Sequence, residues 1–253
     1  MDKPISLTAI VPFYNEEKTL KDSIGRLVST GIFNQIILSD DLSTDSSSDI
    51  AKTFLEEQNN FIYICSKQND GKGAALKNAQ SHIKSTHVII HDADLEYYPD
   101  DIVEMLNISY QHPKSLVLGS RFIGDKIREN GYIRAYYANK ILSAFFSLIN
   151  FYKVTDVATC YKLMPTDFFQ NLDIKERGFS IEIEILSKFL KYNRNIKESP
   201  IRYSARSYEE GKKIKISDGF FYLLNTLKYK FFQWNLEKIA FINFLIILFG
   251  PRM

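Results

Sequence analysis

Four short apolar runs constrain the fold more than any other feature of this chain: Leu7–Val11, Gln35–Ser39, Phe61–Cys65 and His87–His91. Each has the length of a buried strand, and helical spacing of apolar residues fills the intervals. Leu20, Ile24, Leu27 and Val28 follow the first run, and Ile50, Phe54 and Leu55 the second. Gly71 and Gly73 open a third helix over Ala74–Ile83. This alternation predicts an α/β fold, a parallel sheet with helices on both faces. Pro12 is expected to stop the first strand, since proline interrupts a hydrogen-bonded ladder. Asn15 is expected to cap the first helix, with Glu16 and Glu17 at its positive end, and Thr44 or Asp45 to cap the second.

Further along, the spacing predicts a helix from Pro99 to Tyr110, a strand over Ser115–Gly119 and an aromatic-rich helix over Tyr132–Phe151. Thr155–Met164 reads as irregular or extended, Ile181–Tyr192 as a helix and Pro200–Tyr203 as a short strand. Ser204–Lys213 has the composition of a mobile loop, and Ile216–Trp234 reads as an amphipathic helix. The expected organisation is one unit over residues 1–215, in two halves near 5–122 and 123–215. An amphipathic segment, 216–253, follows it.

A net charge of +2 gives no signal for nucleic acid. The charge is uneven, however. From Arg202 to Met253 there are nine basic and four acidic residues, interleaved with Phe, Tyr and Leu. That pattern points to an anionic membrane surface or a phosphate ligand. Ile239–Phe249 is the most apolar stretch and is shorter than the ~20 residues a spanning helix needs. Cys65 and Cys160 stand far apart without metal-ligand spacing, which reads as two packed, reduced thiols in a cytosolic protein. A strand pattern begins within a few residues of Met1, leaving no room for a signal peptide.

Ligands of parallel α/β sheets bind at the carboxyl ends of the strands. Asp40-Asp41 and Asp92-Ala93-Asp94 both fall at that edge. Two carboxylates spaced by one residue share a face of a straight strand and can hold a hard divalent cation, which in turn neutralises a diphosphate. Glu96 continues the series. The alternative is a merely polar strand cap. Asp41 suits a base N–H or a ribose hydroxyl, and Asp45 serves either that purpose or a helix cap. Asn69-Asp-Gly-Lys-Gly73 lacks the spacing of a P-loop; its glycines permit close backbone approach, and Lys72 can meet phosphate or ribose.

Val11-Pro-Phe-Tyr-Asn-Glu-Glu17, Asp40-Asp-Leu-Ser-Thr-Asp45, Gly71-Lys-Gly-Ala-Ala75, Asp92-Ala-Asp-Leu-Glu96 and Gly119-Ser-Arg-Phe122 occur in this order. Together they resemble the family 2 glycosyltransferases of GT-A fold, whose Rossmann-like, mostly parallel sheet is flanked by helices. Within that family the chain looks most like the polyprenyl-phosphate branch typified by dolichyl-phosphate mannose synthase. Asp156-Val-Ala-Thr-Cys-Tyr-Lys162, Gly178-Phe-Ser-Ile-Glu182 and Glu210-Gly-Lys-Lys213 extend the match, which covers about residues 5 to 225.

The resemblance implies a GDP- or UDP-sugar donor near Pro12, Tyr14, Glu16 and Asp41, and Mg2+ or Mn2+ near Asp92, Asp94 and Glu96. It also implies a polyprenyl phosphate acceptor and a peripheral place at the cytoplasmic face of a membrane. Leu42 stands where the family usually has glycine, so it is expected to avoid the backbone conformations reserved for glycine. Glu96 stands where the mannose synthases often carry glutamine, which puts mannose specificity in doubt.

A sugar hydroxyl needs a general base, whereas a lipid phosphate is already anionic and needs positioning by arginines. Arg121, Arg134, Arg202 and Arg206 are the candidates for that phosphate. Asp156 either acts as the base or orients an arginine. Ile141, Leu142, Phe145, Phe146, Leu148 and Ile149 belong either to the core or, with Phe220 to Leu223, Phe231, Phe232 and Trp234, to an interfacial platform. The Ser204–Lys213 loop, with Lys212 and Lys213, can close over the diphosphate and exclude water. A glycosyltransferase with a sugar-hydroxyl acceptor and a non-catalytic nucleotide-sugar sensor are the rival readings.

Overall fold

The computed structural model describes residues 4–126, 128–129, 133–206 and 216–232. In chain order the first half consists of β1 (Leu7–Phe13), α1 (Leu20–Ser29), β2 (Gln35–Asp40), α2 (Ser47–Glu57), β3 (Phe61–Cys65) and α3 (Lys72–Ala79). It continues with β4 (His87–Ile90), α4 (Asp101–Gln111) and β5 (Leu116–Ser120). The second half adds β6 (Arg128–Glu129), α5 (Ile133–Asn150), β7 (Lys162–Pro165), α6 (Thr166–Gln170) and α7 (Ile181–Tyr192). It ends with β8 (Ile196–Pro200), β9 (Tyr203–Ser204) and α8 (Ile216–Phe231).

Seven strands form one sheet in the order β3-β2-β1-β4-β7-β5-β8, and β6 pairs with β9 separately. Every pairing in the large sheet is parallel except those of β7, which runs antiparallel between β4 and β5. The expected mostly parallel α/β sheet is therefore present. Side chains alternate between two apolar layers: Ile10, Ile37, Val88 and Ile90 face one, while Ala9, Val11, Ile36, Leu38 and Ile89 face the other. Because both faces are covered, these strands read as continuous apolar runs. Chain order reverses between β1 and β4, and that switch point opens the cleft described below.

Several local expectations are corrected. Pro12 does not stop β1, which runs on to Phe13. Pairing of β1 with β4 ends at Ile10, so the missing N–H of Pro12 costs no ladder bond on that side. Asn15 does not cap α1, which begins at Leu20. Its φ is +52°, and its side chain instead ties two loops together by accepting from Thr44 N at 2.8 Å. Neither Thr44 nor Asp45 is the cap position of α2, which is Ser46. Asp45 still accepts from Ser47 N at 3.0 Å. Leu42 adopts φ +64°, the conformation it was expected to avoid. Asp40 Oδ1 holds the turn by accepting from Ser43 N at 2.8 Å. Leu55 is exposed, and so is Cys65, whereas Cys160 is buried. The end of Thr155–Met164 is the sheet strand β7, and the short strand foreseen at Pro200–Tyr203 is two strands, β8 and β9.

α5 divides the expected platform in two. Phe146 is fully buried, and Tyr222 and Tyr229 of α8 join the same core. Ile133, Tyr137, Ile141, Leu148 and Phe151 recur at helical spacing on the opposite side and are 59 % to 81 % exposed. Among the described residues no helix is long and apolar enough to cross a membrane. Trp234, Ile239–Phe249, Lys212 and Lys213, and with them most of the expected lid, lie outside the described residues.

Candidate active site

The cleft at the switch point holds about 270 Å³. Pro12, Tyr14, Glu16, Asp41 and Lys72 line it together with Asp92, Asp94, Glu96, Arg121 and Arg206. Residues far apart in sequence meet here because strand ends converge: β1 delivers Pro12, β2 delivers Asp41 and β4 delivers the 92–96 segment. That segment is not a straight strand. β4 ends at Ile90, Leu95 has φ +63°, and Glu96 N donates to Asp94 Oδ1 at 3.1 Å. Asp92 and Asp94 share the cleft because the chain turns, not because they alternate on a strand.

Each of these two carboxylates faces a cation of the chain itself. Lys72 Nζ lies 2.7 Å from Asp92 Oδ1. Arg206 Nη2 lies 3.2 Å from Asp94 Oδ2, and its Nη1 3.2 Å from Glu16 Oε2. Burial first, then the charges of Glu96 and Asp92, push the Asp94 carboxyl up to about 7. Such a carboxyl favours a neighbouring positive charge, and Arg206 supplies part of it. Glu96 lines the same cleft but has both oxygens engaged: Oε2 accepts from Tyr203 OH at 2.7 Å and Oε1 from Arg206 N at 2.9 Å. Among the described residues no three His, Cys, Asp or Glu groups converge as a metal cluster. Two carboxylates nevertheless suit a hard cation that takes its remaining ligands from phosphate and water.

Asp41 receives the backbone of the next loop, with Oδ2 accepting from Gly71 N at 2.6 Å and Oδ1 from Asp70 N at 3.2 Å. Burial raises its pKa above the usual carboxylate value, against the effect of those bonds. The glycines of this loop serve protein packing. A Cβ on Gly73 would stand 1.8 Å from the carbonyl oxygen of Glu176, and one on Gly71 2.6 Å from that of Arg177.

Lys72 also reaches Glu182 at 2.8 Å, and Glu182 pairs with the fully buried Lys162. This Asp92–Lys72–Glu182–Lys162 chain ties the cleft floor to the start of α7. Glu182 and Lys162 each end a motif that extends the resemblance, but their pairing, 20 residues apart in sequence, exists only in the folded chain. Behind Asp92, His91 is held between Ser23 Oγ and Tyr161 OH, each at 3.0 Å.

The arginines separate. Arg121 is buried and lines the cleft, with Nε and Nη2 donating to Asp156 at 2.7 and 2.8 Å. Its backbone N donates to Asp156 as well, at 3.0 Å. Asp156 is thus fully engaged with an arginine and does not line the cleft. Arg202 is drawn away to Asp101, donating from N at 2.6 Å and Nε at 3.1 Å, and stacks on Tyr98. Arg134 is exposed in the first turn of α5. Neither residue lines the cleft. Arg128, unremarked in the sequence because its polar surroundings have no periodicity, is packed beside the rings of Phe122 and Tyr136.

Residues 8–172 match the family model described as glycosyl transferase family 2. The UDP-N-acetylglucosamine–dolichyl-phosphate N-acetylglucosaminyltransferase of Methanococcus voltae is 32 % identical over 247 residues, covering 90 % of this chain and 97 % of that protein. Glycosyltransferase AglJ of Haloferax volcanii is 26 % identical over 214 residues, 81 % of this chain but only 65 % of AglJ's own length. Among solved structures, glucosyl-3-phosphoglycerate synthase from Mycobacterium tuberculosis, in complex with Mn2+, UDP and glucosyl-3-phosphoglycerate, superposes with a TM-score of 0.67. That match has 15 % identity and covers 91 % of this chain and 82 % of the other, a likeness of fold.

Proposed function

This chain belongs to glycosyl transferase family 2 and has the GT-A fold, and from that premise we propose that it transfers a sugar from a nucleotide diphosphate to a polyprenyl phosphate, with inversion. The Methanococcus relative, which matches along nearly its whole length, bears a name that specifies this kind of acceptor. The observation that carries the reading is the bidentate Arg121–Asp156 pair, since it engages the Asp156 carboxylate, a candidate base, and presents a fixed cation at the cleft. An acceptor that is already anionic needs no base; a sugar hydroxyl does.

In this reading the donor diphosphate lies between Lys72 and Arg206, with Asp41 and the wall from Pro12 to Glu16 toward the nucleoside. Asp92 and Asp94 would hold Mg2+ or Mn2+, with Glu96 beside them. When bound, the ion supplies Lewis-acid stabilisation of the leaving diphosphate. The acceptor phosphate oxygen attacks the anomeric carbon. The new bond is carbon to phosphate oxygen, and the bond that breaks joins that carbon to the diphosphate, which leaves as the nucleoside diphosphate. Lys72 and Arg206 exchange the carboxylates they face for the diphosphate, so their charges follow the developing negative charge. The fold carries no spanning helix among its described residues. A peripheral place at the membrane, with the exposed row of α5 against it, fits a lipid acceptor.

The test is incubation of radiolabelled UDP- and GDP-sugars with vesicles containing polyprenyl phosphate, with and without Mn2+. Label in the organic phase, lost in Asp94→Asn and on chelation, is expected. Label found only in water-soluble glycan would reject the lipid acceptor, and binding of the nucleotide without turnover on any acceptor would reject catalysis.

A further inference from the structure

Arg128 carries a guanidinium whose Nε and Nη1 are shut away from water and have no hydrogen-bond partner among the described residues. Its guanidinium carbon lies 5.0 Å from the ring centre of Phe122 and 4.7 Å from that of Tyr136. Aromatic packing of this kind holds an arginine in place without satisfying any of its donors. Lys140, one turn beyond Tyr136 on α5, stands over the same two rings at 5.9 and 5.0 Å. Arg121 also approaches the Phe122 ring, at 5.7 Å, and Tyr203, the β-pairing partner of Arg128, at 4.8 Å. Arg121, Arg128 and Lys140 thus share one aromatic cluster. Asp156 attracts Arg128, but its two oxygens are already engaged by Arg121.

Among the described residues of this cluster, three cations share the one carboxylate of Asp156. The arginine also responds as a cation lacking a counter-ion: burial, then the charge of Arg121, lower its pKa. Buried donors without acceptors are rare in folded proteins and mark a place where a missing group belongs. The missing group must be an anion. Divalent cations are repelled here, and the nucleotide has its own cations in Lys72 and Arg206. A phosphate monoester carries two negative charges and oxygens that suit the planar fork of an arginine. The exposed apolar residues Ile133, Tyr137, Ile141 and Leu148 lie on the same helix as Lys140 and Tyr136, and Phe151 follows its end, so an apolar substituent on that phosphate would meet an apolar surface.

We propose that Arg128, assisted by Lys140, binds the phosphate monoester headgroup of the acceptor beside Arg121. The proposal rests on the reading that the acceptor is a polyprenyl phosphate. It assigns the headgroup to a residue outside the recognised motifs, and it leaves Arg202 to its pairing with Asp101.

Calorimetric titration of the full chain, using farnesyl phosphate, farnesol and inorganic phosphate as probes and UDP with Mn2+ as a control, tests it. Arg128→Gln is expected to weaken farnesyl phosphate binding by about tenfold or more. Arg128→Lys, which keeps the charge and loses the fork, should fall between it and the unaltered protein, and Lys140→Gln should show a smaller loss. Farnesol and UDP affinities should not change. If Arg128→Gln and Arg128→Lys both bind farnesyl phosphate as tightly as the unaltered protein, the assignment of Arg128 is wrong while the acceptor reading stands. If the unaltered protein binds UDP but not farnesyl phosphate, the acceptor reading fails and this inference with it. Inorganic phosphate binding as tightly as farnesyl phosphate would make this a free-phosphate site and overturn the headgroup assignment. Should Arg128→Gln not fold, Arg128→Lys alone decides.

Discussion

Arg121 and Asp156 form a two-pronged ion pair, Nε to Oδ2 at 2.7 Å and Nη2 to Oδ1 at 2.8 Å, and the Arg121 backbone N adds a third bond to the same carboxylate. Both side chains are buried, so removing one partner strands the other. Asp156→Asn retains shape but turns an NH2 toward a guanidinium. The expected result is a loss in acceptor kcat/KM of about a hundredfold, in the range of a disrupted buried charge pair. UDP affinity should stay unchanged. The pH profile discriminates roles: an orienting Asp156 leaves the acid limb of log kcat/KM in place, whereas a base would take that limb with it when replaced.

Glu96 offers a second separation of roles. Both of its oxygens accept hydrogen bonds, from Tyr203 OH and Arg206 N, so the carboxylate fastens the 203–206 segment beside the cleft. Glutamine has one accepting oxygen and must present its NH2 to the other donor. Glu96→Gln should therefore cost about 1–2 kcal/mol of unfolding free energy. Mn2+ affinity in the presence of UDP, followed by electron paramagnetic resonance, should change less than about threefold. A loss of tenfold or more would place Glu96 among the metal ligands.

How far the sequence reached is clearest residue by residue. β3 and α7 lie where periodicity put them, because a buried strand and an amphipathic helix are written in local spacing. Asp92 and Asp94 were legible from their place after an apolar strand. The antiparallel β7 was not, since its residues take strand form only by filling the gap between β4 and β5. Positive φ at Asn15 and Leu42 was illegible for a similar reason. At Asn15 the conformation is sustained by a bond to a loop that meets it only in the folded chain, and at Leu42 by the Asp40 carboxylate, which closes the turn on Ser43 N. Arg128 needed Phe122, Tyr136 and Lys140 to be brought together before it could be read as anything but a solvated charge.

Gly73 is a sharper test of packing than any core residue. An added Cβ would lie 1.8 Å from Glu176 O, and that contact is with backbone. Gly73 N also donates to Arg177 O at 2.7 Å, which fixes the approach of the two segments. Gly73→Ala should destabilise by about 3 kcal/mol, at the upper end of overpacking costs. It should also weaken nucleotide binding, because Lys72 and the Asp41-bound turn lie on the displaced loop. Unfolding in urea and UDP titration check both outcomes, and an alanine variant of native stability would show that the 176–177 segment yields freely.

His91 links stability to pH. It is buried behind Asp92, within 3.0 Å of both Ser23 Oγ and Tyr161 OH, an arrangement that a neutral imidazole satisfies by donating at one nitrogen and accepting at the other. Burial, aided by the charges of Arg26 and Lys72, brings its pKa down to about 3 from an ordinary 6.5. Above pH 6.5 both folded and unfolded chains hold this histidine neutral, and it contributes no pH dependence. As the pH falls from 6.5 toward 3, the unfolded chain takes up a proton that the folded one refuses, so folding is progressively disfavoured. The slope from this residue is about 1.4 kcal/mol per pH unit. Urea unfolding of the unaltered protein and of His91→Gln at pH 7.5, 6 and 5 isolates it, because the other titrating groups are common to both. The variant should start less stable at pH 7.5, having lost the match to Ser23 and Tyr161, and then lose less stability on acidification. Parallel pH dependence in the two proteins would assign acid sensitivity elsewhere.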